Sequence, residues 1–186
     1  YVEKGTPVGI AYEGLKAFED YINKKYPPKK RHVKCHIVYL PMARDELIPA
    51  LLDGRGDVAV AGLTITPERA RLVDFSSPTA RKISEIAVTG PNSPPIVTLD
   101  DLSGKEVFLR ESSSYWEHME QLNERFRKEG KRPATLRPAP EELQDEDLME
   151  MVNAGAIGIT IVDDYKATLW AKAFKDIRPR PEIAVN

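Results

Sequence analysis

The residues of this chain best placed to do chemistry lie between Gly62 and Arg69. An apolar run, Asp57-Val58-Ala59-Val60-Ala61, ends at Gly62, and Leu63-Thr64-Ile65-Thr66-Pro67-Glu68-Arg69 follows. Thr66 suits a helix N-cap, and Pro67 suits the first helical position, where a missing N–H costs nothing. Glu68 suits the first turn, but Arg69 does not, because free N–H groups already make a helix N-terminus partly positive. A cation beside such donors makes sense if an anion binds there. On spacing alone, a strand-to-helix turn with a solvated arginine is the alternative. Ser112-Ser113-Ser114 repeats the pattern after another strand, and its hydroxyls and N–H groups either accept an anion or cap a helix. Asp163 and Asp164 end the strand Gly158–Val162. A carboxylate at the carboxyl end of a parallel strand faces the crevice where such sheets bind ligands; capping the next helix is the other role open to it. Tyr12 and Tyr115 are aromatics that either clasp a ligand or pack in a core.

The elements that must position these groups follow from periodicity. Val8–Tyr26 carries Leu15, Ala17, Phe18, Tyr21 and Ile22 at helical spacing, which predicts a helix packed by one face. His32–Tyr39 alternates and predicts a strand with Val33, Cys35, Ile37 and Tyr39 on its buried side. Asp45–Asp53 reads as a helix ending near Gly54, with Pro49 shortening it or sitting in its first turn. Asp57–Ala61 reads as a buried strand, Pro67–Val73 as a short helix, and Ile83–Thr89 as another strand. Gly90-Pro91-Asn92-Ser93-Pro94-Pro95 is the best internal boundary. Beyond it come a turn at Leu99–Leu102, a strand at Glu106–Arg110, a helix to about Lys128 and a strand at Thr135–Arg137. A helix at Leu143–Ala154 is closed by Gly155. The strand Gly158–Val162, a helix from about Asp164 to Phe174 and a strand at Glu182–Val185 complete the chain. Strands alternating with helices predict parallel sheets flanked by helices.

Composition narrows the function. The 186 residues carry a net charge of −2, and no domain-wide basic excess exists to neutralise phosphates, which argues against nucleic acid. The clusters Lys24-Lys25 and Lys29-Lys30-Arg31 flank Pro27-Pro28 and read as a solvated loop. Cys35 is the only cysteine, so no intrachain disulfide forms, and its place on the strand predicts a buried structural thiol. His32, His36 and His118 lack metal-ligand spacing, and no phosphate loop, dinucleotide fingerprint or Gly-x-Ser-x-Gly occurs. No catalytic residue, metal or cofactor is expected. No run approaches the ~20 apolar residues of a membrane span, and no signal peptide is present.

The segment Gly62-Leu63-Thr64-Ile65-Thr66-Pro67-Glu68-Arg69, continued by Asp74-Phe75-Ser76-Ser77-Pro78, resembles the signature of family 3 extracellular solute-binding proteins. These are the amino-acid-binding components of bacterial ABC uptake systems. The resemblance implies a type II periplasmic-binding-protein fold, α/β, with two lobes and a two-crossing hinge. It implies that the Gly62 carbonyl receives a ligand's α-ammonium and that Thr64 and Arg69 hold its α-carboxylate. Amides of the turn at Ser112 and Ser113 complete that grip, although Ser112 stands where the family commonly has glycine. Asp163 pairs with the ammonium, with a slip to Asp164 left open, and Tyr12 is a candidate for the side-chain clasp. Thr79 stands where the family usually has an aromatic.

The segments Ala61–Arg69, Ser112–His118 and Glu146–Gly155 resemble the binding domains of membrane-bound lytic murein transglycosylases and their stand-alone relatives; in those enzymes such a domain precedes a lysozyme-like catalytic domain. The expected lobes are 1–89 plus 182–186, and 90–181. Measured against the family, a strand before Thr6–Tyr12 and helices after the last strand fall outside the chain, which therefore reads as truncated at both ends. The implied protein is a monomeric periplasmic or cell-envelope module. It binds an amino acid or similar zwitterion and works with an ABC-transporter membrane component, or regulates a C-terminal enzyme domain.

Overall fold

The computed structural model describes residues 2–3, 6–27 and 33–186. Pro28, Lys29-Lys30-Arg31 and the start of the expected strand at His32 lie outside them. The chain divides into two compact units, 1–42 with 46–63, and 43–45 with 64–186.

The first unit opens with a short antiparallel pair, β1 (Val2–Glu3) with β2 (Thr6–Pro7). Two helices follow, α1 (Ile10–Lys25) and α2 (Leu47–Leu52). Pro49 sits in the first turn of α2, where its missing N–H breaks no helical bond. Two expectations fail here. Residues 33–40 and 57–61 are not strands, because no neighbouring strand pairs with them among the described residues. The backbone of 33–40 is instead held by side chains of α1. Asn23 Nδ2 donates to the Cys35 carbonyl at 2.8 Å, and the Cys35 N–H donates to Asn23 Oδ1 at 2.9 Å. The Ile37 N–H donates to Glu19 Oε2 at 2.6 Å. Asn23 thus offers one donor and one acceptor to a single residue, as a paired strand would. Cys35 is exposed, which corrects the expected buried thiol. Helix α1 itself buries none of its residues fully.

The second unit is built on a five-stranded sheet. Its strands are β3 (Glu85–Thr89), β4 (Glu106–Leu109), β5 (Thr135–Pro138), β6 (Ile159–Asp163) and β7 (Arg178–Ala184). Their spatial order is β5-β4-β6-β3-β7. Strands β5, β4 and β6 are parallel, while β3 runs antiparallel to both β6 and β7. The sheet is therefore mixed rather than all parallel. The reason is connectivity: β4, β5 and β6 are linked through helices, whereas β3 enters from the preceding segment and β7 returns along it. Strand β3, which the sequence reading placed at the end of its first lobe, is paired on both sides within this unit.

Three helices complete the unit: α3 (Ser114–Lys128), α4 (Asp145–Asn153) and α5 (Asp164–Trp170). Helix α3 buries Tyr115, Met119, Leu122 and Phe126 at helical spacing. Ile86, Val88, Val107, Leu109, Ile159 and Ile161 share its core cluster. Every residue of β3 and β6 is buried, which accounts for their continuous rather than alternating apolar runs. At about 1.5–3 kcal/mol per fully buried large apolar side chain, this cluster is the main stabilising element of the unit. Helix α4 ends as its sequence predicts. Gly155 takes φ +70°, its N–H reaches the Val152 carbonyl, and the Ala156 N–H reaches Met151, the paired bonds of a glycine-closed helix end.

Candidate functional site

Sheet direction decides which groups meet. Parallel β4 and β6 lie side by side, so the chain leaving Leu109 and the chain leaving Asp163 emerge at one edge. Antiparallel β3 brings its amino end to that edge, with Glu85 opposite Asp163. The segment after β5 returns there as well, carrying Glu141 and then Asp145.

Ser113 caps α3, its Oγ accepting the Trp116 N–H at 3.2 Å and donating to the Arg110 carbonyl at 2.7 Å. The capping alternative read from sequence is thus realised at Ser113. Ser112 precedes the cap. Its N–H and Oγ donate to the two oxygens of Glu141 at 3.0 and 2.5 Å, so a carboxylate is held at this turn by both donor types that the sequence singled out. Ser114 Oγ donates to Glu85 Oε1 at 2.7 Å and lies 3.1 Å from Thr64 Oγ1.

Arg69 begins a single 3-10 turn, Arg69–Arg71, rather than the longer helix expected at Pro67–Val73. Thr66 Oγ1 accepts the Arg69 N–H at 3.3 Å, but the N-cap position of the turn is Glu68, which makes no side-chain cap. The arginine is only 8% exposed. Its guanidinium donates to the Thr64 carbonyl at 3.1 Å and the Ser112 carbonyl at 2.7 Å, and Nε lies 3.2 Å from Glu117 Oε1. This is not a solvated arginine. It ties the 64–69 turn to the start of α3, and it carries Thr64, Arg69, Ser112 and Ser114 into one corner of the second unit.

Two further groups of this corner escaped the sequence reading. Glu85 is 1% exposed, and its Oε2 lies 2.5 Å from His118 Nδ1. Its contact with Glu85 holds His118 protonated to higher pH than usual, against the opposing effect of burial. The spacing of Ser114, Glu117 and His118 on one helical face was a signal for this cluster. Glu85 gave none, because only the antiparallel register brings it there.

Asp163 is buried at the end of β6 and stands at the N-cap position of α5 without making a side-chain cap. Asp164 is the first helical residue and accepts the Tyr165 N–H at 2.7 Å. Asp163 Oδ2 lies 2.7 Å from Lys166 Nζ. That ammonium also reaches Asp145 Oδ2 at 2.7 Å and the Tyr115 hydroxyl at 3.2 Å. Arg110 holds the other oxygen of Asp145 and donates to the Leu143 carbonyl at 2.8 Å. Burial works against the charge on Lys166, but Tyr115 and its acidic neighbours outweigh that, so its pKa is raised. Burial likewise opposes the charge on Asp145, and Lys166 and Arg110 hold its carboxyl below the usual value. Tyr115 thus belongs to a buried polar network; burial and nearby carboxylates push its hydroxyl pKa up.

Gly62 and Tyr12 lie in the first unit. Gly62 is at φ +55°, a left-handed conformation that favours glycine. Tyr12 packs against Tyr39 with ring centroids 5.0 Å apart. Among the described residues no group of three potential metal ligands is assembled, and no helix is long and apolar enough to cross a membrane.

Comparison with known proteins gives this geometry a context. The chain is 28% identical over 180 residues to a membrane-bound lytic murein transglycosylase F of Desulfosudis oleivorans, covering 96% of this chain and 35% of that protein. It therefore spans about a third of the length of that curated relative. An ancestral arginine-binding protein bound to arginine is 25% identical, with a TM-score of 0.69, covering 96% of this chain and 71% of that one. The substrate binding protein of an amino acid ABC transporter is 26% identical, with a TM-score of 0.66, covering 98% and 72%. The fold is thus the type II periplasmic-binding-protein fold that the signature implied. Residues 1–169 match the bacterial extracellular solute-binding proteins, family 3, and the chain belongs to that family.

Proposed function

We propose that this solute-binding domain takes a small zwitterion, an amino acid or related compound, in a cleft between two lobes and closes on it. Arg69 and Thr64 hold the carboxylate, aided by the turn at Ser112 and Ser113. The Gly62 carbonyl and Asp163 receive the ammonium, and Tyr12 borders the side chain. One observation carries this reading: a buried arginine, a helix start that already holds a carboxylate, and a buried acid lie along one sheet edge of the second unit. Those are the groups a zwitterion needs. The neighbours named as arginine-binding and amino-acid-binding proteins support the same ligand class.

The domain works as a monomer in the periplasm or cell envelope, without metal or cofactor, and delivers its ligand to an ABC-transporter membrane component. A second reading is favoured by the relative named as a lytic transglycosylase: the domain senses a ligand and regulates an enzyme region elsewhere in a longer protein. A lysozyme-like region encoded in the same gene would select the second reading.

Calorimetry after a thermal-shift screen of the twenty amino acids and muropeptide fragments tests the ligand class. Arg69→Ala should weaken binding of the amino acid selected by at least about tenfold, the scale of a charge-assisted hydrogen-bond pair. Arg69→Lys should restore only part of it, because lysine lacks the planar fork. Unchanged affinity in a folded Arg69→Ala protein rejects the assignment.

A further inference from the structure

We infer that Lys166 competes with a ligand's ammonium group for Asp163, and that it thereby sets how strongly this site prefers a free amino acid over the same carboxylate without its amine. The inference rests on the reading of Asp163 as the ammonium partner.

Asp163 is already paired. Lys166 lies three residues along α5 on the same face, and its ammonium sits 2.7 Å from Asp163 Oδ2. The three N–H groups of that ammonium match three acceptors: Asp163, Asp145 and the Tyr115 hydroxyl. Asp145 is held on its other oxygen by Arg110. The two buried acids are bonded to two cations, with Arg44 also acting on Asp145, and the cluster presents no excess negative charge to an incoming ammonium.

The arrangement also gives Lys166 somewhere to go. Its side chain is 22% exposed, against 11% for Asp163 and 7% for Asp145. Its flexible stem lets the ammonium leave Asp163 while keeping Asp145 and Tyr115. An arriving ammonium therefore replaces an existing ion pair rather than neutralising a bare acid. Its net gain is small, and like charge repels it from the displaced Lys166. The carboxylate grip at Arg69 and Ser112 involves none of these groups. Lys166 therefore taxes only the amine end of the ligand, and the site tolerates carboxylates whose amine is missing or acylated.

The test compares L-glutamine with glutaramate, its counterpart lacking the α-amino group, by calorimetry on this chain. The wild type should prefer L-glutamine only weakly, through the contact assigned to the Gly62 carbonyl. Lys166→Met should raise the preference for L-glutamine by at least about tenfold, and adding Asp163→Asn should cancel the gain; a charge-assisted bond is of this size. Lys166→Arg should keep the wild-type preference. If Lys166→Met fails to fold, Asp145→Asn with Lys166→Met removes one charge of each sign and serves in its place. An unchanged preference in the Met variant, while Asp163→Asn alone weakens L-glutamine binding, overturns the inference and leaves the reading of Asp163 standing. No effect of Asp163→Asn in either background overturns both. Equal gains for the two probes, or no binding of L-glutamine to any variant, overturn the inference.

Discussion

Helices α1 and α3 are nearly equal in length, 16 and 15 residues, and both are amphipathic by sequence, yet they end in opposite situations. Helix α3 lies in a unit with a five-stranded sheet and buries Tyr115, Met119, Leu122 and Phe126. Helix α1 shares its unit with an extended segment held by Asn23 and Glu19, and it buries no residue. Among the described residues of that unit only Ala50 is buried. An apolar stripe on a helix states what the helix could bury; a neighbouring sheet decides whether it does.

Mutations should expose the difference. Phe126 is fully buried and Phe18 is 44% exposed. Phe126→Ala should cost about 3–5 kcal/mol in chemical denaturation, whereas Phe18→Ala should cost less than about 1 kcal/mol, as exposed substitutions do. Similar losses at the two sites would erase the contrast. In the same unit, Asp145→Ala should cost about 3–5 kcal/mol, because Arg110 and Lys166 lose their shared buried partner. In the first unit, Asn23→Ala removes two bonds to Cys35, with an expected loss of about 1–2 kcal/mol. Amide exchange at Cys35 should quicken in that variant. The native thiol should react with a thiol reagent without unfolding, since it is exposed.

The smallest effects expected are of pH, and they should have opposite signs in the two units. Glu85 raises the pKa of His118, with burial opposing. The folded state then binds more protons than the unfolded state, so this contribution is complete below about 6.5, the unfolded value, and is lost as pH rises through the folded value. Stability of the wild type relative to His118→Gln should fall over that interval. The Ile37 N–H holds the Glu19 carboxyl below its usual value, with desolvation opposing. That contribution is present above the unfolded value and is lost as pH falls through the folded one. Exchange at Ile37 should therefore quicken in acid.

Local signals in the chain determined a good deal of this protein. The signature from Gly62 to Pro78 carried the family, because it is a run of adjacent residue types that is recognised without knowing any distant partner. The cap at Ser113 and the end of α4 at Gly155 were legible because each is decided by backbone groups within a few residues. The apolar runs at 83–89 and 158–162 marked β3 and β6 as strands. What the sequence could not decide were the matters that depend on a neighbour across space. Residues 33–40 and 57–61 have strand-like patterns, but a strand is made by a pairing strand, and no described strand pairs with those segments. The antiparallel course of β3 placed Glu85 against Ser114 and His118, a meeting between residues far apart in sequence. The same is true of Lys166, whose three-residue distance from Asp163 was visible but whose bonds to Asp145 and Tyr115 were not. Local propensity and capping are written into adjacent residues, whereas pairing, burial and charge balance are set when the sheet brings distant segments to one edge.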